Sequence, residues 1–286
     1  MLLPAVAFYV IFAYIPMYGI TLAFKDFDYS KGILFSPWIG FENFQMLFSN
    51  ATFIRAFRNT LLISFGRLLV EFPIPIVLAL LLNEISKSKL KKVYQTVYTF
   101  PHFLSWVILS GIVINLFQDQ GVVNQLMSLL GLPKNTVLSN SFAFISLIFG
   151  SNIWKEAGWS SILYLAAIAG ISPELYEAAR VDGANRFQQV LAITWPELKK
   201  TASVLLVLQV GAAMNGGFDQ IFNMYNSGVY RWADIIDTFV YRMSFVDAGG
   251  FGFTTAVGLS KAVLNFALLL TANKVIAKLS DGEGVI

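Results

Sequence analysis

An apolar run of about 20 residues can cross the hydrocarbon core of a bilayer as one helix. This chain of 286 residues has six such runs, at about 2–24, 57–82, 94–117, 142–169, 197–218 and 252–277. A helix satisfies its own backbone, so repeated apolar runs in lipid leave an all-α bundle as the fold. Composition agrees: 56% of residues are hydrophobic and 13% charged, against about 25% charged in a soluble domain. The mean hydropathy is +0.65. No Pro/Gly/Ser-rich linker and no internal repeat divides the chain, so 1–286 reads as a single transmembrane domain. Pro16, Pro73, Pro75 and Pro101 fall within or at the ends of the runs, where neighbouring helices can satisfy the freed carbonyls.

The connections orient the bundle. Lys87, Lys89, Lys91 and Lys92 lie in 83–93; Arg180, Arg186, Lys199 and Lys200 lie in 170–200; Lys274 and Lys278 close the last run. These are alternate connections, and all lie within the length over which basic residues set orientation. The intervening ones, 25–56, 118–141 and 219–251, are more sparsely basic. Basic short loops stay in the cytoplasm, which predicts both termini and the 170–200 connection on that side.

That connection is unusual. Glu177 to Pro196, EAARVDGANRFQQVLAITWP, is a polar island of about twenty residues, longer than two helices need to be joined. Ser172 suits an N-cap, Pro173 a first helical position and Glu174 the helix dipole. Ala178 and Ala179 lack bulk and let another surface approach. Asp182-Gly183 reads as a helix stop at a left-handed glycine. A second short helix is predicted from Ala184 to Thr194, with Pro196 opening the next. Together they form a helix–turn–helix elbow; the plainer reading is a solvated loop.

The island carries a resemblance. Glu-Ala-Ala at 177–179, three residues, Gly183, nine residues, Ile193, two residues and Pro196 resemble the EAA loop of permease subunits of bacterial ATP-binding-cassette importers. Trp195 stands where that family usually has Leu. The segments PMYGITLAFKDFDYSKGI, GFENF, FRNTLLIS, ALLLNE, YTFPHFLSW and GVVNQLMSLLGL are similar to the carbohydrate branch, including permeases for oligosaccharides and alginate. The resemblance implies a type I importer permease with Glu177, Ala178, Ala179, Asp182, Gly183, Ile193 and Pro196 docking on an ATPase. It implies a second homologous permease, two ATP-binding subunits and an extracytoplasmic solute-binding protein as partners, in the bacterial cytoplasmic membrane. ATP and Mg would sit on the partner ATPase, with no cofactor here. Related permeases commonly carry a basic segment before the first run, so the N-terminus reads as trimmed.

Other classes fit less well. With no cysteine and one histidine, thiolate and His-cluster metal chemistry are excluded. There is no Walker A pattern, so ATP hydrolysis and catalysis are expected elsewhere. The net charge of +3 does not call for nucleic acid. The alternative is a secondary transporter or channel, in which the elbow would have no role.

A substrate path is sought among polar residues at membrane depth, which are costly and face protein or water. Asn152, Trp154, Lys155 and Trp159 lie in the fourth run beside Glu156, and Asn215, Asp219 and Gln220 near the end of the fifth, after Gln209. Amides and aromatic faces are the groups that hold sugars. Helix packing serves equally well for the Lys155 group. Arg67 and Glu71, four apart, are expected to pair as packing glue, and His102 to be a hydrogen-bonded structural residue. Adjacent residues on a helix diverge, so Lys155 and Lys261 are expected to lack intrachain partners, which leaves room for an anionic uronate sugar.

Overall fold

The computed structural model describes residues 2–85, 87–246 and 250–279. Its long helices are α1 (Leu3–Phe24), α2 (Glu42–Ser49), α3 (Ala51–Val70), α4 (Pro73–Asn83), α5 (Ser88–Thr99), α6 (Trp106–Phe117), α7 (Val122–Leu129) and α8 (Ser141–Ala169). There follow α9 (Pro173–Val181), α10 (Arg186–Gly211), α11 (Phe218–Met224), α12 (Tyr230–Ala233), α13 (Ile236–Phe245) and α14 (Phe251–Leu279). The fold is all-helical, and no strand is formed among the described residues beyond one isolated bridge, Lys25 to Trp38.

Four stretches are long and apolar enough to cross a membrane: Leu3–Phe24, Ala51–Asn83, Trp106–Leu129 and Phe251–Lys278. The bent pair Arg186–Gly211 and Ala213–Met224 makes a fifth if taken as one span. Helix α8 has 29 residues, but Asn152, Lys155 and Glu156 interrupt its apolar surface.

Local chemistry explains where the predicted runs are cut. The run 94–117 is two helices, since Pro101 ends the first in a 3₁₀ turn and Ser105 caps the second by accepting from the Ile108 N–H at 3.3 Å. Three of the lysines assigned to the 83–93 loop, Lys89, Lys91 and Lys92, stand on α5 itself. Asn50 caps α3 by accepting from Thr52 and Phe53, both at 3.0 Å. Asn140 caps α8 through the Ala143 N–H at 3.1 Å. The fifth run stops at Gly211 rather than 218. A 3₁₀ turn, Ala213–Asn215, leads to Gly216 (φ 50°) and Gly217 (φ 82°), and α11 leaves at 48° to α10. Two successive left-handed residues cannot continue a right-handed helix.

The core has three parts. One joins α3, α6, α8 and α11 through Ile63, Leu109, Phe144, Ile148 and Ile221. A second joins α2, α3, α13 and α14 through Leu47, Phe53, Phe239 and Val257. The third joins α4, α8 and α10 through Ile76, Ala79, Tyr164, Ile168 and Leu198. At Gly158, α8 lies directly on the Tyr98 and Thr99 backbone, leaving no room for a Cβ. The long connection before α14 is itself helical and pinned by ions. Arg242 donates to Asp234 at 2.7 Å, and that bond holds its guanidinium above the ordinary arginine range.

Candidate functional site: a membrane cavity and an exposed elbow

A cavity of about 420 Å³ opens between α3, α4, α8 and α10. Its polar wall is a chain of hydrogen bonds. Arg67 donates to Gln220 Oε1 at 2.5 Å and lies 3.9 Å from Glu71. Asn152 donates to Glu71 Oε2 at 2.5 Å. Gln220 donates in turn to the Ile148 carbonyl at 2.6 Å and to Ser151 Oγ at 2.9 Å. The expected Arg67–Glu71 pair is therefore formed, and it ties α3 to α8 and α11. Glycine suits 217 on two counts: its φ is 82°, and a Cβ would come within 2.5 Å of the Arg67 guanidinium and displace it from Gln220. Two atoms of this network, Arg67 Nε and Glu71 Oε1, are buried without a hydrogen-bond partner.

The candidate path residues separate. Asn152, Asn215 and Gln209 line the cavity, together with Glu156 and Ser160. Gln220 is wholly buried behind the wall. Asp219 is exposed and outside the cavity lining, as is Trp154. Trp159 stacks on the His102 ring at 4.4 Å and 2°, so one of its faces is already taken.

Lys155 and Lys261 overturn the expectation of unpaired cations. Lys155 Nζ lies 2.9 Å from Glu156 Oε1 and donates to the His102 carbonyl at 2.7 Å. Both flexible side chains reach toward the 3₁₀ segment before α6, where His102 Nδ1 meets Glu156 Oε2 at 2.7 Å. The divergence of adjacent Cα–Cβ bonds is overcome by side-chain length and a shared partner. His102 is hydrogen-bonded, as its place beside Pro101 suggested. Lys261 pairs with Asp237 on α13 at 2.6 Å, a partner 24 residues distant that no local reading finds.

The elbow projects from one end of the bundle. Ser172 accepts from the Glu174 N–H at 3.3 Å and Pro173 opens α9. Gly183 adopts φ 80°, as expected of a helix stop. Its N–H donates to the Arg180 carbonyl at 3.1 Å and the Ala184 N–H to the Ala179 carbonyl at 2.9 Å, the two bonds of a Schellman turn. Asn185 and Gln188 then form a reciprocal capping box, with bonds of 2.9 and 2.8 Å. Glu177, Ala178 and Asp182 are exposed, Ala179 and Ile193 half-buried, and Pro196 exposed.

One expectation about the elbow fails. The second helix does not stop at Thr194; it continues through Pro196 into the bundle as α10. Pro196 cannot donate to the ladder. A π turn over Val190–Thr194, in which the Trp195 N–H reaches the Val190 carbonyl, absorbs the irregularity just before it. The elbow is therefore continuous with a membrane helix. It is also tied back by Tyr176 Oη to Thr194 Oγ1 at 2.9 Å and by Arg186 to Glu84 at 2.9 Å. Val181 and Phe187 stand 89% and 71% exposed on it. Val181 and Phe187 were not singled out from sequence, though large apolar residues in a polar island were a readable signal.

Comparison with known proteins fits this geometry. Protein LplB of Bacillus subtilis (strain 168) is 43% identical over 286 residues, covering all of this chain and 89% of its own length. The polygalacturonan/rhamnogalacturonan transport system permease protein YteP of the same organism is 41% identical, covering 100% of this chain and 88% of its own. A crystal structure of a bacterial ABC transporter involved in the import of the acidic polysaccharide alginate superposes with a TM-score of 0.90 at 41% identity, over 97% of this chain and 94% of that one. The same TM-score of 0.90 is reached, at 40% identity over 100% of this chain and 95% of that one, by the bacterial alginate ABC transporter in complex with an alginate pentasaccharide-bound periplasmic protein. The family model for binding-protein-dependent transport system inner membrane components matches residues 71–280, from the polar wall through the elbow to the last helix, and this chain belongs to that family.

Proposed function

We propose that this chain is one transmembrane subunit of an ATP-driven importer of oligosaccharides, with uronic-acid sugars as its cargo class. It works as one permease domain over 1–286 beside a second, homologous permease. Two ATP-binding subunits hold ATP and Mg and carry out the hydrolysis, and an extracytoplasmic solute-binding protein delivers the sugar. The membrane is the bacterial cytoplasmic membrane, crossed six times, by α1, α3–α4, α5–α6, α8, α10 and α14. Both termini and the elbow then lie in the cytoplasm, as the alternation of basic loops supports.

The observation that carries the reading is the elbow. Glu177, Ala178, Ala179, Asp182, Gly183, Ile193 and Pro196 lie on or beside two short helices whose outer surface is exposed. The second of these is the first part of α10, which goes on without a break to line the cavity through Leu205 and Gln209. A force on the elbow is therefore applied to the cavity wall. ATP binding draws paired elbows together and opens the cavity outward; hydrolysis resets it. Asn152, Asn215 and Gln209 offer the amides a sugar would meet, with Gln220 and Lys155 holding the wall behind them. Trp154, Trp159 and Asp219 are left with smaller roles in the path.

The sugar class is supported by the relatives, whose names include polygalacturonan, rhamnogalacturonan and alginate. The test is reconstitution of the full importer in proteoliposomes with its binding protein. Oligouronates should stimulate ATP hydrolysis above the neutral oligosaccharide level. Stimulation by neutral oligosaccharides alone would overturn the cargo class, and hydrolysis indifferent to loaded binding protein would overturn the importer role.

A further inference from the structure

We propose that the end of the bundle opposite the elbow holds a site for one anionic glycerophospholipid, with its phosphate on Arg55, Arg58 and Arg231 and an acyl chain in the adjoining groove. Arg55 and Arg58 lie in the first two turns of α3, and Arg231 on α12 approaches them across a cavity of about 480 Å³. None of the three has a carboxylate partner among the described residues. Arg58 donates only to Asn59 Oδ1, at 3.4 Å, and Arg55 Nε is buried without a partner. The guanidinium groups of Arg58 and Arg231 lie 5.0 and 5.7 Å from the Trp232 ring. Three converging cations repel one another unless an anion joins them, and guanidinium forks match phosphate oxygens.

A second observation identifies the anion's source. Beside the arginines runs an apolar groove of about 440 Å³, lined by Leu62, Ile63, Gly66, Ile145 and Phe149, with Trp232 at its rim. Leu62 and Gly66 stand two residues either side of Ser64, which lines the polar cavity. At about 100° per residue this turns the groove to the far side of α3. A sugar in the cavity does not reach it, whereas an acyl chain in the bilayer does.

The depth agrees. Arg67 is the midpoint of the span Ala51–Asn83, and Arg58 and Arg55 precede it by nine and twelve residues, about 14 and 18 Å along the helix. Half the hydrocarbon thickness is about 15 Å, so both arginines stand at headgroup level, beside a tryptophan of the kind enriched there.

The test uses the complete importer in nanodiscs of equimolar phosphatidylglycerol and phosphatidylcholine, followed by native mass spectrometry of the lipid it retains. Wild type should keep phosphatidylglycerol in preference. R55Q/R58Q/R231Q should weaken that retention at least tenfold with the subunits still assembled. L62W, which fills the groove from an exposed position, should weaken it as well, while leaving any binding of inorganic phosphate intact. Equal retention of both lipids, or retention unchanged in the triple variant, overturns the site. So does phosphate binding without lipid, an oligogalacturonate that displaces the bound lipid, or loss of the second permease in the triple variant with lipid retained.

Discussion

Gly183 offers the sharpest test of the elbow because its backbone can be separated from its surroundings. Its φ is 80°, and a Cβ built there meets nothing within 4 Å. A substitution is therefore free of clash inside this chain, and the cost is conformational alone. Holding an L-residue in the left-handed region costs about 1–2 kcal/mol, and a β-branched side chain stands at or above the top of that range. If the elbow must keep this turn to dock, Gly183→Ala should weaken ATPase binding about 5- to 30-fold, the factor matching 1–2 kcal/mol. Gly183→Val should weaken it further. Gly183→Asn should recover most of the loss, since Asn visits this region with local hydrogen-bonding help. The assay is titration of the purified ATPase subunit against nanodisc-held permease, with circular dichroism to confirm an intact bundle. Wild-type affinity in the Val variant would refute the requirement for the turn. An Asn variant as weak as Val would show that the partner's surface, rather than φ, excludes a side chain there.

Glu177 has no side-chain partner among the described residues and is exposed; Glu177→Ala should lower binding-protein-stimulated hydrolysis while leaving solute binding by the external protein unchanged, read in proteoliposomes. Tyr176→Phe removes the bond to Thr194 at the root of the elbow, worth about 1 kcal/mol net, and should lower the ratio of transport to ATP hydrolysed with the permease still assembled. Lys155→Met removes the ammonium from Glu156 and from the His102 carbonyl; because Glu156 lines the cavity and keeps its contact with His102, the bundle should lose about 1–3 kcal/mol, seen as a lower unfolding midpoint, with no change in preference between acidic and neutral sugars. Gly158→Val should prevent α5 from closing on α8, measured as loss of folded protein on size-exclusion chromatography.

What was legible in the sequence was legible because its cause is local. Apolar length marks helices, Ser172 and Pro173 mark a start, and Asp182-Gly183 marks a stop; each depends on residues within one turn. The break between α5 and α6 was within reach, since Pro101 and Ser105 are both local signals, but the apolar run masked them. Pro196 misled in the other direction. A proline ordinarily opens a helix, and only the π turn before it lets α10 run on. The partners of Lys155 and Lys261 were hidden for a different reason. Glu156 stands next to Lys155, where side chains ordinarily diverge. The shared contact that brings them together, His102, is 53 residues from Lys155, and Asp237 is 24 from Lys261, so pairing depends on how helices pack.

Those partners also change the electrostatic argument about cargo. Four charges surround the cavity wall: Arg67 and Lys155 against Glu71 and Glu156. Two cations and two carboxylates cancel, and each is bonded to a neighbour. An incoming uronate finds amides and bonded pairs here, with no free ammonium to neutralise it. Such a wall selects by hydrogen-bond geometry and offers no net attraction to an anion. On the function proposed above, a preference for acidic sugars must then be imposed by the solute-binding protein, or by cations that a second permease contributes. On the same proposal, this subunit's own contribution is a polar surface coupled to α10, tolerant of charge because its own charges are already matched.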